Sequence, residues 1–333
     1  TATGNESTDK EVLESLAEVH PIPAIISEIR GKVKLRSTYI DKVLNGIDLD
    51  GRLRAGFHLH TVTSGRLSSS GKLNMQQLPR DDKTVKNCIR PADPDWVIFS
   101  QDLKTAEMYY AAVLSGDKNL AKVFHNAEDF HSSIAKMTFG LTCPVEEVKV
   151  KYPELRQASK AISFGILYGA GPGKGASSAG ISYSEAKEII RKYYKQFKQL
   201  KKWIDNVQAE ILSDGCIYSA FGRKRRVPSV FSLDDYEQGH ALRSAMNFTV
   251  QSVASDVNLM IAMDSHDYFK KKNYPVEIFG LVHDSILGQC HKSYVDTVKQ
   301  VLLLHTHKDR GVSIPGCPIE VDFGYGESYA AAG

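Results

Sequence analysis

Residues Arg156–Gly169 read RQASKAISFGILYG, and in them Arg156, Lys160, Phe164 and Tyr168 recur at every fourth position. At 3.6 residues per turn each such step drifts only about 40° around a helix, so the four share one broad face roughly 18 Å long. Two cations fill its first half and two aromatic rings its second. Pro153 and Glu154 suit the first turn, while Gly169, Gly171 and Pro172 stop the helix. Taken alone, the pattern also fits an amphipathic helix whose cations snorkel to water. However, Ala161, Ile162, Ile166 and Leu167 already supply a core stripe, which leaves the cation–aromatic face for something else. Cations at one end and flat rings at the other match a nucleoside triphosphate.

Outward from this helix, the 333 residues exceed what one compact core usually holds, so two or three subdomains are expected. The 42% hydrophobic and 24% charged composition is that of a water-soluble globular chain. A net charge of +3 does not announce a polyanion partner, so a nucleic-acid reader here must concentrate its cations locally. Lys192–Lys202 and the cluster Arg223, Lys224, Arg225 and Arg226 are such concentrations, although a solvated helix face explains the first equally well. The five cysteines form no C-x-x-C pair, which argues against a disulfide framework or structural zinc and for a reducing compartment. No run approaches the ~18 apolar residues of a membrane span, and no signal sequence opens the chain. TATGNESTDK lacks an initiator methionine, so the chain is expected to be a fragment or a processed product.

Helical spacing marks Glu11–Val19, Ile22–Lys34, Thr105–Leu114, most of 118–213, and Leu233–Ser265, with breaks at Gly140–Pro144 and Gly169–Gly175. A short strand and turn are expected within Arg54–Arg66, a Ser/Gly loop at Ser68–Gly71, and an extended polar segment at Leu73–Pro79. Trp96–Asp102 (WVIFSQD) reads as a strand buried on both faces and ending on an acid. A hairpin is expected between Ser213 and Pro228. Val276–Cys290 forms another, with His283 and Asp284 at its bend, and Ile319–Phe323 closes the sheet. The pattern predicts an α+β fold in which helical material is inserted into an antiparallel sheet. GAGPGKGA (Gly169–Ala176) fails as a Walker loop, because Gly175 follows Lys174 where Ser or Thr is needed. It reads as a helix-to-helix connection.

Nucleotidyl transfer needs charge stabilisation at the attacking oxygen, the phosphorus and the leaving pyrophosphate. Two Mg²⁺ ions about 3.5–4 Å apart supply it, held by carboxylates on rigid strands. Asp102 and Asp284 each follow an apolar strand, and together they bracket the cation–aromatic helix. Either alone is an ordinary turn aspartate. As a pair they make a metal site.

R-x-x-x-K-x-x-x-F-x-x-x-Y-G resembles the fingers-helix motif of the family A (DNA polymerase I-like) DNA polymerases, and ordered matches follow along the chain. SQDLKTAEMYYAAVLSGD resembles the first palm motif, with Asp102 as metal ligand and Glu107 five residues on. LVHDS resembles the third motif, in which His283 and Asp284 match while Ser285 replaces the usual glutamate, leaving a third carboxylate in doubt. TSGRLSS, with Arg66, is similar to the minor-groove-reading segment, and NMQQLPR, with Asn74 and Gln76, to the primer–template segment after it. EDFH places His131 at the triphosphate, and RSAMNFTVQSVASD places Arg243, Asn247 and Gln251 at the DNA. RGKVKLRSTYIDK is similar to the thumb base, with Lys34, Arg36 and Thr38 facing phosphates.

The resemblance implies a right-hand polymerase architecture: a partial thumb in 1–50, palm in 51–117, fingers in 118–238 and palm again in 239–333. It implies dNTP addition to a primer 3′-OH at two Mg²⁺ ions, which Mn²⁺ can replace, bound by Asp102, Asp284 and the Leu103 carbonyl. Arg156, Lys160 and His131 would meet the phosphates, Phe164 and Tyr168 the base, and Glu107 the sugar edge where a 2′-hydroxyl would sit. Lys160 would also protonate the pyrophosphate. Expected partners are primer–template DNA, dNTPs, and an upstream thumb or exonuclease segment or a processivity subunit, with no membrane and no proofreading within these residues. The motif variants resemble bacteriophage enzymes acting in the host cytoplasm. A single-subunit RNA polymerase is disfavoured by Glu107 and Phe164, a non-catalytic DNA-binding module by the presence of both aspartates, and a nucleotide-driven motor by the absence of a Walker loop.

Overall fold

The chain's computed structural model describes residues 7–79, 83–125 and 129–333. Arg80 and Glu128, at the edges of two of the quoted motifs, lie outside the described residues. Two compact units emerge, Thr1–His58 with Ser68–Ile89, and Leu59–Leu67 with Arg90–Gly333.

In the first unit, helices α1 (Lys10–Ala17) and α2 (Pro21–Lys34) lead into a wide π-helical turn, Leu35–Ile40, and a last turn at Asp41–Leu44. Pro21 sits at the first helical position, where its missing N–H costs nothing. The buried Tyr39 donates its hydroxyl to the Gln77 carbonyl at 2.6 Å and pins this stretch. Strands β1 (Ala55–His58) and β2 (Ser68–Gly71) pair antiparallel. β2 corrects the expected Ser/Gly loop: serine and glycine have little strand preference of their own, and pairing with β1 decides the outcome. Leu73–Pro79 likewise differs from the extended expectation. It holds a 3₁₀ turn, Met75–Gln77, capped by the Asn74 side chain.

The second unit is built on a four-stranded antiparallel sheet, ordered β6–β7–β3–β8. Its members are β3 (Trp96–Leu103), β6 (Val276–Val282), β7 (Ser285–His291) and β8 (Val321–Gly326). β3 lies centrally, and Val97–Gln101 are all buried, which explains its unbroken apolar run. Helices α3 (Ala106–Ser115), α9 (Asp235–Lys271) and α10 (Val295–Thr306) belong to the same core, through Met108, Phe248, Ile261 and Leu302.

Between β3 and α9 runs the helical insertion: α4 (Phe130–Phe139), α5 (Pro153–Leu167), α6 (Pro172–Ala179), α7 (Tyr183–Gln196) and α8 (Lys198–Asp214), then a small hairpin of β4 (Cys216–Tyr218) and β5 (Lys224–Arg226). The break after α5 is shorter than expected. Pro172 starts a new helix that takes in Gly173 and Gly175, and Gly180, at φ +67°, ends it. α9 continues to Lys271, beyond the expected Ser265. The mixed architecture is α+β, as read from the sequence.

Candidate active site

Register brings the two aspartates together. Asp102, near the end of β3, lies directly opposite Ser285, the first residue of β7. Asp284 therefore stands one residue away, in the two-residue turn from β6. The other turn residue, His283, is exposed and adopts φ +55°. Ser285 Oγ donates to Asp102 Oδ1 at 2.7 Å. Leu103 follows, with its side chain buried, opposite Val321 of β8.

Glu107 lies in the first turn of α3, and its side chain is 11% exposed. Thr105, between it and Asp102, has φ +51°, a region that β-branched residues rarely enter. This turn swings the chain from strand to helix within two residues. Arg66 Nη2 then reaches two acids at once, Glu107 Oε1 at 3.2 Å and Asp284 Oδ1 at 3.1 Å. The Tyr168 hydroxyl donates to Glu107 Oε2, and Gln251 Nε2 approaches Oε1 at 3.5 Å. Burial and the bond to Glu107 raise the Tyr168 hydroxyl pKa far above its ordinary range, so it stays a donor. The five side chains Arg66, Glu107, Tyr168, Gln251 and Asp284 form one network.

α5 delivers Tyr168. Its C-terminus is closed by a bond from the Ala170 N–H to the Gly165 carbonyl at 2.7 Å, with Gly169 at φ +66°. A Cβ on Gly169 would lie 2.7 Å from Arg243 Cγ, so α9 packs closely against this turn. Arg243, Asn247 and Gln251, spaced by four on α9, share one half-buried face. At the other end of α5, Arg156 Nε donates to Asp129 Oδ2 at 2.6 Å and to Ser132 Oγ at 3.2 Å. Burial alone would raise the Asp129 carboxyl; the hydrogen bonds from Arg156 and Ser132 overcome it and hold it at about 2. His131 packs beside Phe164, with ring centroids 5.6 Å apart, and its Nδ1 is buried without a partner. Burial, reinforced by the Lys160 charge, lowers this imidazole to about 4. Lys160 is exposed.

The sequence-derived set thus divides. Asp102, Leu103, Glu107, Arg66, Gln251, Tyr168, His283 and Asp284 gather around the end of the sheet, and Arg156, Lys160, Phe164 and His131 line the approach along α5. Asn74, Gln76, Lys34, Arg36 and Thr38 belong to the first unit. There Asn74 caps its turn, the Gln76 side-chain carbonyl accepts from Ser69 N–H at 3.2 Å, and Arg36 faces Asp41 at 3.8 Å. Sequence reasoning missed Asp129, which reads as a helix cap and does accept from the His131 N–H. It read Arg223 only as part of a basic cluster, whereas Arg223 bonds Asp256 at 2.8 Å and covers Gly65, beside Arg66.

Among the described residues no three His, Cys, Asp or Glu side chains converge as a self-sufficient metal site. Mg²⁺ does not need one. It keeps waters and takes one or two carboxylates together with substrate phosphates, and two aspartates at adjacent strand ends fit that chemistry. No described helix is long and apolar enough to cross a membrane.

A family model described as DNA polymerase family A matches residues 1–331. The DNA polymerase of Escherichia phage T5 is 47% identical over 347 aligned residues, covering 97% of this chain and 40% of the phage protein. The thermostable DNA polymerase I of Thermus aquaticus is 33% identical over 333 residues, 99% of this chain and 39% of that protein. The chain thus spans about two fifths of the length of these relatives. The solved POL domain of Pol1 from M. smegmatis, in complex with DNA primer-template and dNTP, superposes with a TM-score of 0.88. It is 29% identical, over 100% of this chain and 57% of that one.

Proposed function

We propose, from the premise that this chain belongs to DNA polymerase family A, that it carries out template-directed DNA synthesis, joining a primer 3′-oxygen to the α-phosphorus of a dNTP with release of pyrophosphate. The observation that carries this reading is the meeting of Asp102 and Asp284 at one end of the sheet, beside a network that ends on Tyr168 of α5. In this reading residues 1–50 are the base of a thumb, 51–117 and 239–333 the palm, and 118–238 the fingers.

Asp102, Asp284 and the Leu103 carbonyl would hold two Mg²⁺ ions, with Mn²⁺ able to replace them. Bound there, such ions activate the 3′-hydroxyl and neutralise phosphate charge. Arg156, already set in place by Asp129, and the exposed Lys160 bind the triphosphate. Lys160 gives a proton to the departing pyrophosphate. His131, neutral at pH 7, offers hydrogen bonding without adding charge. Phe164 stacks on the incoming nucleotide, and Tyr168 packs at the templating position. Glu107 fills the space at C2′ and rejects a ribose. Arg66 and Gln251 leave Glu107 for minor-groove acceptors, which are similar on every correct pair and so check geometry rather than sequence. His283, Arg243, Asn247, Asn74 and Gln76 support the primer–template, and Lys34, Arg36 and Thr38 its phosphates.

Primer extension with Mg²⁺, comparing the chain with Asp284→Ala, tests the reading. Extension by the parent and none by the variant is expected; equal extension by both removes the assignment.

A further inference from the structure

We infer that Ser285 is the positioning residue for Asp102: its hydroxyl fixes the carboxylate's orientation for metal binding without adding a charge of its own. The inference rests on the two-aspartate reading above and concerns how that site is tuned.

Three observations carry it. Ser285 and Asp102 are direct cross-strand partners, so their side chains leave the same face of the sheet. The Ser285 hydroxyl donates to Asp102 Oδ1 at 2.7 Å, the distance of a sound O–H···O⁻ bond. Asp102 is exposed, so core packing does not order its side-chain torsions, and the Ser285 hydroxyl restrains one of its oxygens.

The two aspartates are held in contrasting ways. Asp284 accepts from Arg66, a full positive charge that must withdraw before a divalent cation can take its place. Asp102 accepts from a neutral hydroxyl, which can keep its bond to one oxygen while the carboxylate ligates. A carboxylic side chain at position 285 would add a third negative charge beside these two. A hydroxyl leaves the site leaner in charge, so metal affinity depends more on orientation. Partners that orient a ligand are typically worth ten- to a hundred-fold in metal affinity.

The test uses the full chain with a dideoxy-terminated primer–template and the next correct dNTP, titrated with Mn²⁺ and read by the paramagnetic resonance of the free ion. Ser285→Ala is expected to weaken Mn²⁺ binding about tenfold; in a parallel extension assay on an unterminated primer, kcat is expected to recover at saturating metal and the dNTP KM to change less than about twofold. Ser285→Thr, which keeps the hydroxyl, is expected to restore affinity, and Ser285→Glu to tighten it. Parent-like binding by Ser285→Ala, or equal weakening in the Ala and Thr variants, overturns the inference while leaving the two-aspartate site standing. Undiminished binding by both Asp102→Ala and Asp284→Ala overturns the site itself, and the inference with it.

Discussion

Glu107 is the residue on which most of the site converges, and its consequences are sharp. It accepts from Tyr168 and Arg66 and is approached by Gln251; in the proposed reading Arg66 and Gln251 turn to the DNA, and the Tyr168 bond keeps the carboxylate at the C2′ edge. Glu107→Ala is expected to raise ribonucleotide incorporation by at least tenfold relative to dNTP (about 1.4 kcal/mol of discrimination), measured as the ratio of kcat/KM values; unchanged selectivity removes the gate. Phe164 carries no hydroxyl, so in the proposed reading the hydroxyl near the phosphates would be the nucleotide's own 3′-OH. Phe164→Tyr is therefore expected to admit dideoxynucleotides more readily, and equal terminator use by both forms contradicts it. Asp102 and Asp284 were legible because each is an acid closing an apolar strand. Asp129 was not, because an aspartate before a helix already has a local use in capping, and nothing in the sequence says that Arg156 returns to it across twenty-seven positions.

At the level of elements, α5 was readable almost to the residue, since a four-residue repeat between Pro153 and Gly169 leaves a helix little choice. β2 was not, because SSSG becomes a strand only through its partner. The π-helical turn at Leu35–Ile40 has no pattern that distinguishes it from α-helix in advance. The turn at Gly169 makes a testable element. Its φ of +66° and the 2.7 Å approach of Arg243 Cγ both disfavour a side chain. Gly169→Ala is expected to cost about 1–2 kcal/mol in denaturant unfolding and to raise the dNTP KM by displacing Tyr168. A variant as stable as the parent would mean that this turn is not held as described.

For the molecule as a whole, charge sets two dependences. His131 falls from an ordinary 6.5 to about 4. Below 6.5 the unfolded chain binds a proton that the folded one refuses until about pH 4, so stability declines through that window, by on the order of 3 kcal/mol. Asp129, depressed from 3.8 to about 2, contributes stability that is present above 3.8 and lost as pH falls toward 2. Thermal midpoints should therefore drop from pH 7 to pH 4, and His131→Gln should flatten that slope; an unaltered slope would show the ring to be charged already in the folded state. With a net charge of only +3, the proposed DNA binding would draw on local cations. Lys34→Ala and Arg36→Ala are each expected to lower the slope of log affinity against log salt by about 1, and an unchanged slope would place both residues away from phosphate. The position of Arg66 has a wider consequence. One guanidinium is shared between Glu107, the acid that would judge the sugar, and Asp284, an acid that would hold a divalent ion. Whatever draws it away from one releases the other, so by thermodynamic reciprocity the two equilibria are linked. Tolerance of a ribose and the metal concentration at half-saturation should then shift together across a series of substitutions at Glu107, as two readings of a single equilibrium.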